Sequence, residues 1–298
     1  MTPDWIAADW GTTNLRVWAM GPGGVLATAA SEDGMGRLSR DDFEPALLRL
    51  IGPWLGAGVT PVLACGMVGA RQGWFEAPYR AVPCAPLEHL GLIAAPVRDG
   101  RMTVHIAPGL SQARPADVMR GEETQIAGVL AGTPDFDGVL CLPGTHSKWA
   151  QVSAGEVVSF QTYLTGELFN LLSTASVLRH GMGLGWDDAA FDEAVSDTLS
   201  RPQRIAAQLF GIRAEGLLHG LSPDAARSRL SGLLIGAELA AARPYWLGQQ
   251  VALVGNDRLS AAYARALAAQ GVPAKTLDAT DCTLAGLRTL RRQMETRT

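Results

Sequence analysis

Two short segments pair glycine with hydroxyl side chains in a way that suits phosphate. In Asp9-Trp10-Gly11-Thr12-Thr13-Asn14-Leu15-Arg16 a carboxylate closes an apolar run, and a turn with two threonines follows. Backbone N–H groups of a tight turn form an anion-binding concavity to which threonine hydroxyls add donors. An Asp beside it can hold a hydrated Mg2+, which keeps several waters and takes one or two carboxylates. Leu142-Pro143-Gly144-Thr145-His146-Ser147-Lys148-Trp149 repeats the turn, with Pro143 where the first has Asp9. Two such turns facing each other would cradle β- and γ-phosphates from both sides. A third segment, Arg120-Gly121-Glu122-Glu123-Thr124-Gln125, offers a carboxylate to take the proton of an attacking hydroxyl. Phosphoryl transfer asks mainly for positioning and charge neutralisation, so one base beside the metal and donors suffices. Adjacent acids in the first turn of a helix also simply stabilise it, and both meanings stay open at this point. Fourth, Val251–Val254 runs into Gly255-Asn256-Asp257. Glycine where a strand meets a helix lets a ligand ring or phosphate approach the backbone.

The elements that must position these residues follow from periodicity. Trp5–Asp9, Leu15–Met20 and Val25–Ser31 read as strands, with turns at Gly11-Thr12-Thr13 and at Gly21–Gly24. A helix is expected over Asp41–Leu55 from the spacing of Phe43, Leu47, Leu48, Ile51 and Leu55. Pro61–Val68 and Met102–Ala107 read as strands, and Gly121–Ala131 as a helix opening on the two glutamates. Asp137–Leu142, Lys148–Ser153 and Val157–Tyr163 then repeat the opening pattern of strand, Gly-Thr turn, strand, turn, strand. Such a repeat, followed each time by helices, describes two related α/β lobes. The rest reads as helices over Gly166–Arg179, Trp186–Leu199, Pro202–Leu218 and Pro223–Arg243, then strand Gln250–Gly255, helix Leu259–Gln270, strand Ala274–Asp278 and helix Cys282–Met294. The boundary between lobes is expected near Gly132–Asp137, giving residues 1–134 and 135–298.

Composition narrows the function classes. A net charge of −4 leaves no basic face for nucleic acid or an anionic membrane. No apolar run reaches the roughly 18 residues that span a bilayer. Met1-Thr2-Pro3-Asp4 lacks the basic region of a signal peptide, so a cytoplasmic address is expected. The four cysteines form no C-x-x-C pair and read as reduced, buried thiols.

In their order, the first phosphate turn, acidic helix start, second phosphate turn and Gly-Asn segment resemble the sugar kinases of the actin/hexokinase/Hsp70 superfamily. More narrowly, Ala8–Arg16, Cys65-Gly66-Met67-Val68-Gly69-Ala70-Arg71-Gln72-Gly73-Trp74 with Pro78-Tyr79, Met119–Gln125, Leu142–Trp149 and Thr165-Gly166-Glu167-Leu168-Phe169 resemble the 2-keto-3-deoxy-galactonate kinase family. The resemblance implies two ribonuclease H-like, actin-like ATPase lobes with a central cleft, and phosphorylation of 2-dehydro-3-deoxy-D-galactonate at its 6-hydroxyl by ATP and Mg2+. It implies Asp9 as the metal residue, and Gly11, Thr12 and Thr13 along the γ-phosphate with Gly144, Thr145 and His146 opposite. Glu123 would be the catalytic base with Glu122 as the alternative, although related sugar kinases carry an Asp there. Gly255 and Asn256 would approach the adenosine. A substrate carboxylate favours the planar fork of an Arg, which makes Arg16, Arg71 and Arg120 candidates, while Asn14, Gln72 and Trp74 would meet hydroxyls or the sugar face. A kinase of another small sugar or sugar acid, and an actin-like ATPase without sugar substrate, remain the competing readings; the oligomeric state, a homodimer included, is open.

Overall fold

The computed structural model describes residues 2–255 and 258–296, which form two α/β units. The first unit comprises the chain up to Asp137, Val152–Ser159 and the chain from Asp278 onward; the second comprises Gly138–Gln151 and Phe160–Leu277.

In the first unit β1 (Trp5–Trp10), β2 (Leu15–Gly21) and β3 (Gly24–Ser31) form an antiparallel meander. Helix α1 (Phe43–Ile51) leads to β4 (Thr60–Gly66), which pairs parallel with β1. The short strands β5 (Tyr79–Ala81) and β6 (Ile93–Ala94) precede β7 (Met102–Ile106), and β8 (Gly109–Gln112) and β9 (Asp117–Met119) precede helix α2 (Glu122–Gly132). The main sheet runs β3-β2-β1-β4-β7-β6, and β5-β8-β9 form a small sheet of their own. Strand β1 is buried on both faces, which explains its near-continuous apolar run. Ile6, Ala8 and Trp10 pack with Phe43, Leu47 and Ile51 of α1 on one side. Trp5 and Ala7 pack on the other side with Ala127 of α2 and with Leu284, Leu287 and Leu290.

The second sheet opens with β10 (Gly138–Leu142), β11 (Ser147–Ser153) and β12 (Glu156–Tyr163), whose connecting stretch Val152–Ser159 is grouped with the first unit, and helices α3 (Thr165–Thr174), α4 (Asp188–Ser200), α5 (Ile205–Leu218), α6 (Pro223–Ala241) and α7 (Arg243–Trp246) follow. Then come β13 (Val251–Val254), α8 (Arg258–Ala268) and β14 (Lys275–Leu277). The sheet order is β12-β11-β10-β13-β14, with β10, β13 and β14 parallel. Val139, Cys141 and Trp149 pack with Phe191 of α4, Ile235 and Leu239 of α6, and Tyr263 of α8. Numbered within each unit, both sheets share the order 3-2-1-4, which the first extends through β7 to β6 and the second through β14, the ribonuclease H-like arrangement expected from the repeated strand-turn-strand pattern.

Three elements depart from the sequence reading. The helix expected over Asp41–Leu55 is a regular helix only over Phe43–Ile51, flanked by 3-10 turns at Arg40–Asp42 and Gly52–Trp54; Pro53 cannot continue the ladder. The helix expected to reach Arg179 stops at Thr174, and a 3-10 segment over Val177–Gly181 follows. The last helix, α9 (Ala279–Glu295), belongs to the first unit rather than to the second. Its apolar stripe completes the core under β1, β2 and β4, and it packs against α2 at two glycines. A Cβ on Gly128 would lie 1.8 Å from the Cys282 carbonyl oxygen, and one on Gly286 would lie 2.0 Å from that of Thr124. Among the described residues no helix is long and apolar enough to cross a membrane.

Candidate active site

In the first unit Asp9 lies near the C-terminal end of β1, opposite Arg16 of β2 and Cys65 of β4. The Arg16 guanidinium donates to Asp9 Oδ2 at 2.5 Å, and the Cys65 thiol stands 4.0 Å from Asp9 Oδ1. Burial pushes the Asp9 carboxyl up; Arg16 opposes the rise and the charge of Glu122 adds to it. The chain then turns at Gly11, whose N–H donates to the Asn14 carbonyl at 2.9 Å. The carbonyls of Gly11, Thr12 and Thr13 accept from the N–H groups of Met35, Gly36 and Gly34, so the turn is held from behind. Thr12, Thr13 and Asn14 are exposed at its outer edge.

The acidic start of α2 meets this corner through two glycines in left-handed backbone. A Cβ on Gly66 (φ 88°) would sit 2.6 Å from the Trp10 carbonyl oxygen, and one on Gly121 (φ 104°) 3.3 Å from Gly66 Cα. No other residue adopts such φ angles at these distances without strain. The two glutamates face different surroundings. Glu123 is completely buried; its carboxylate accepts from the Gly121 N–H at 2.6 Å and from the Thr124 hydroxyl at 3.0 Å. Burial, aided by the charge of Glu122, pushes its carboxyl up to about 8. Glu122 is half-buried, accepts from the Arg120 N–H at 3.1 Å, and is the glutamate whose charge acts on Asp9.

The candidate substrate residues divide in the same way. Trp74 is a core residue, stacked on Phe43 and edge-on to Trp10, so its ring serves packing rather than a sugar face. Arg16 is committed to Asp9. Arg71 is exposed and stands 3.6 Å from Glu76, and Gln72 beside it is exposed as well. Arg120 is buried, donates to the Ala77 carbonyl at 2.8 Å and stacks its guanidinium 4.3 Å over the Tyr79 ring. Its Nε and Nη1 have no hydrogen-bond partner among the described residues. Gly69 makes room for it, since a Cβ there would lie 2.9 Å from Nη1.

In the second unit the Gly144-Thr145 turn is held by the start of α3. The Glu167 N–H donates to the Thr145 carbonyl at 2.9 Å, and a Cβ on Gly166 would lie 2.2 Å from the Gly144 carbonyl oxygen. His146 Nε2 pairs with Glu167 Oε2 at 2.6 Å, and Lys148 Nζ donates to the His146 carbonyl at 3.1 Å. Beside the turn opens a cavity of about 510 Å3, lined among others by Gly144, Thr145, Thr165, Trp186, Arg227 and Arg258. Gly255 closes β13; a Cβ there would lie 1.9 Å from Ser260 Oγ, so the first turn of α8 closes directly over it. Asn256 lies outside the described residues. Thr165, Trp186, Arg227 and Arg258 were not singled out for this site by sequence reasoning. Only Thr165-Gly166 carried a signal, as part of the family-like stretch Thr165–Phe169; Trp186 precedes α4, and Arg227 and Arg258 are helix residues with no local mark.

Two ribonuclease H-like units, one with acids gathered at strand ends and both with a Gly-Thr turn, place the chain among the carbohydrate kinases of the actin-like fold. The pattern of the 2-keto-3-deoxy-galactonokinase family matches residues 9–290, and the chain belongs to that family. It is 37% identical over 294 residues to the 2-dehydro-3-deoxygalactonokinase of Escherichia coli (strain K12), covering 97% of this chain and 98% of the relative. It is 39% identical over 289 residues to a provisionally named 2-dehydro-3-deoxygalactonokinase of Rhizobium meliloti (strain 1021), covering 94% of each. A crystal structure from Sinorhizobium meliloti, also provisionally so named, superposes with a TM-score of 0.91 at 37% identity over 97% of this chain and 99% of that one. The activator of 2-hydroxyisocaproyl-CoA dehydratase from Clostridium difficile, solved with bound ADPNP, shares the fold over 98% of this chain and 96% of its own, with a TM-score of 0.51 at 11% identity.

Proposed function

We propose that this chain transfers the γ-phosphoryl group of ATP to the 6-hydroxyl of 2-dehydro-3-deoxy-D-galactonate. The observation that carries the reading is the meeting of Asp9 with the start of α2 at the C-terminal ends of β1 and β4, where open α/β sheets bind their ligands. Glu122 is the proton acceptor for the attacking hydroxyl. A base must first be within reach of the proton, and only then does its pKa matter. Glu123, with no exposed surface and both oxygens engaged, instead holds the Gly121 N–H and so the first turn of α2. Arg120 receives the sugar acid's carboxylate, since a buried cation with unused donors is costly until an anion joins it. Thr12, Thr13 and Thr145, with the backbone of Gly11 and Gly144, take the phosphates. The cavity beside Gly144-Thr145 takes the nucleoside, with Arg258 in its lining.

The residues fit Mg2+. Among the described residues no three acids or other ligating groups cluster, but an ion that keeps its waters and binds phosphate oxygens needs only one or two protein carboxylates. Asp9, whose carboxyl burial raises against the pull of Arg16, would hold it with Glu122 near. When bound, the metal neutralises charge on the phosphates. Dependence on ATP and four free cysteines support a cytoplasmic address for the enzyme.

The test is a coupled ADP-release assay with Mg-ATP and a panel of 2-keto-3-deoxy-galactonate, its gluconate epimer, neutral hexoses, glycerol and no sugar. Turnover confined to the keto-deoxy acids is expected. ADP release that ignores the panel would show an ATPase instead.

A further inference from the structure

Beneath the Gly144-Thr145 turn lies a buried carboxylate with no part in the reading above. Glu238 of α6 is 3% exposed and stands 89 residues from Trp149, 73 from Thr165 and 25 from Tyr263. It touches all three. The Trp149 indole N–H donates to Oε1 at 2.7 Å. The hydroxyls of Thr165 and Tyr263 both donate to Oε2, the latter at 2.6 Å. The Tyr263 oxygen is also 2.9 Å from Ser147 Oγ. One side chain thus ties together β11, which follows the Gly144-Thr145 turn, the first residue of α3 and the middle of α8, and the turn, α3 and α8 all border the cavity. Burial raises the Glu238 carboxyl and these donors pull it back. A buried charge is retained only where hydrogen bonds satisfy it.

We propose that Glu238 is a positioning residue of the nucleotide site, holding the Gly144-Thr145 turn, α3 and α8 together and turning the Thr165 hydroxyl proton away from the cavity. Thr165 lines that cavity. Its proton is committed to Glu238, so a ligand meets an acceptor there and is selected for a donor, such as a ribose hydroxyl. This rests on the assignment of the cavity to the nucleoside.

Glu238→Gln separates positioning from mere packing. The indole N–H can only donate, so it claims the amide oxygen, and the amide NH2 must face the two hydroxyls. Shape is kept, but Thr165 and Tyr263 are forced from donors into acceptors and the Thr165 proton swings into the cavity. Calorimetric titration of the full-length protein with ADP and steady-state kinetics read the effect. E238Q is expected to weaken ADP binding and raise the KM for ATP about tenfold or more, as for loss of a charge-assisted hydrogen bond, while kcat and the sugar-acid KM hold. Thr165→Val is expected to match it and Thr165→Ser to bind like the wild type. Unchanged ADP binding in a folded E238Q overturns the proposal. Should E238Q not fold, T165V and T165S decide: equal ADP binding by the two overturns it. A wild type that does not bind ADP at all removes the cavity assignment itself, and the inference falls with it, a result distinct from the others.

Discussion

Two adjacent glutamates separated by exposure make the residue scale the sharpest place to test the site. Glu122→Gln is expected to cut turnover about 10²–10⁴-fold, the range of a lost general base, with nucleotide binding kept. Glu123→Gln keeps an acceptor for the Gly121 N–H and is expected to retain turnover within about tenfold, since it removes no group in reach of substrate. If the larger loss fell on E123Q, the roles would be reversed. Glu123 also leaves a signature in stability. Its folded carboxyl keeps its proton up to about pH 8, whereas the unfolded chain releases it near the ordinary value of 4.5. The native state therefore binds the extra proton between these values, and stability falls as pH rises through that window. Melting curves from pH 5 to 8.5 are expected to show E123Q gaining on the wild type as pH rises; parallel curves would contradict the buried acid. Arg120→Lys replaces a planar fork by a point charge, and the KM for the sugar acid is expected to rise about tenfold or more with the KM for ATP unchanged. A rise in both would assign Arg120 to framework alone.

Elements show where sequence reading succeeds and where it stops. The two strand–Gly-Thr turn–strand repeats were legible because alternation, glycine and hydroxyls all lie within about twenty residues. Strands β5, β8 and β9 were not, because three or four residues carry no periodicity and their pairing joins distant segments. Trp74, read beside Arg71 and Gln72 as a sugar contact, shows the same limit, since its partners Phe43 and Trp10 are far away in sequence. Glu238 is the clearest case: an acid near the end of an Ala- and Leu-rich helix, given meaning only by three partners brought from other elements. The close approach of α2 and α9 was equally hidden, and it carries a prediction. Alanine gains roughly 1 kcal/mol over glycine inside a helix, but a methyl at Gly128 or Gly286 would strike the backbone of the other helix. Overpacking of about 1–3 kcal/mol or more therefore wins. Gly128→Ala and Gly286→Ala are expected to lower the denaturation midpoint, and G286A, which presses on Thr124, to reduce turnover as well. A gain in stability from either would mean that the helices move apart freely.

Across the whole molecule, the chain passes from one unit to the other and back, and its last helix returns to the first. The first unit's core is therefore finished only when α9 arrives. Leu284, Leu287 and Leu290 are buried against Trp5, Trp18, Met20 and Leu63, and each buried leucine contributes about 1.5–3 kcal/mol. Their sum approaches the total stability of a typical domain, about 5–15 kcal/mol, before the contacts of Thr280 with Arg16 and of Thr283 with Gln125 are counted. A chain stopped after Leu277 is thus expected to lose the first unit while the second, whose core contains no residue of α9 among the described residues, keeps its own. Hydrogen exchange followed by mass spectrometry would show rapid exchange over β1, β2 and β4 with β10 and β13 still protected. Protection of β1 and β4 in the shortened chain would mean that the first core closes without α9. Protection lost everywhere would mean that the second unit depends on the first for folding, a stronger coupling than its separate core implies.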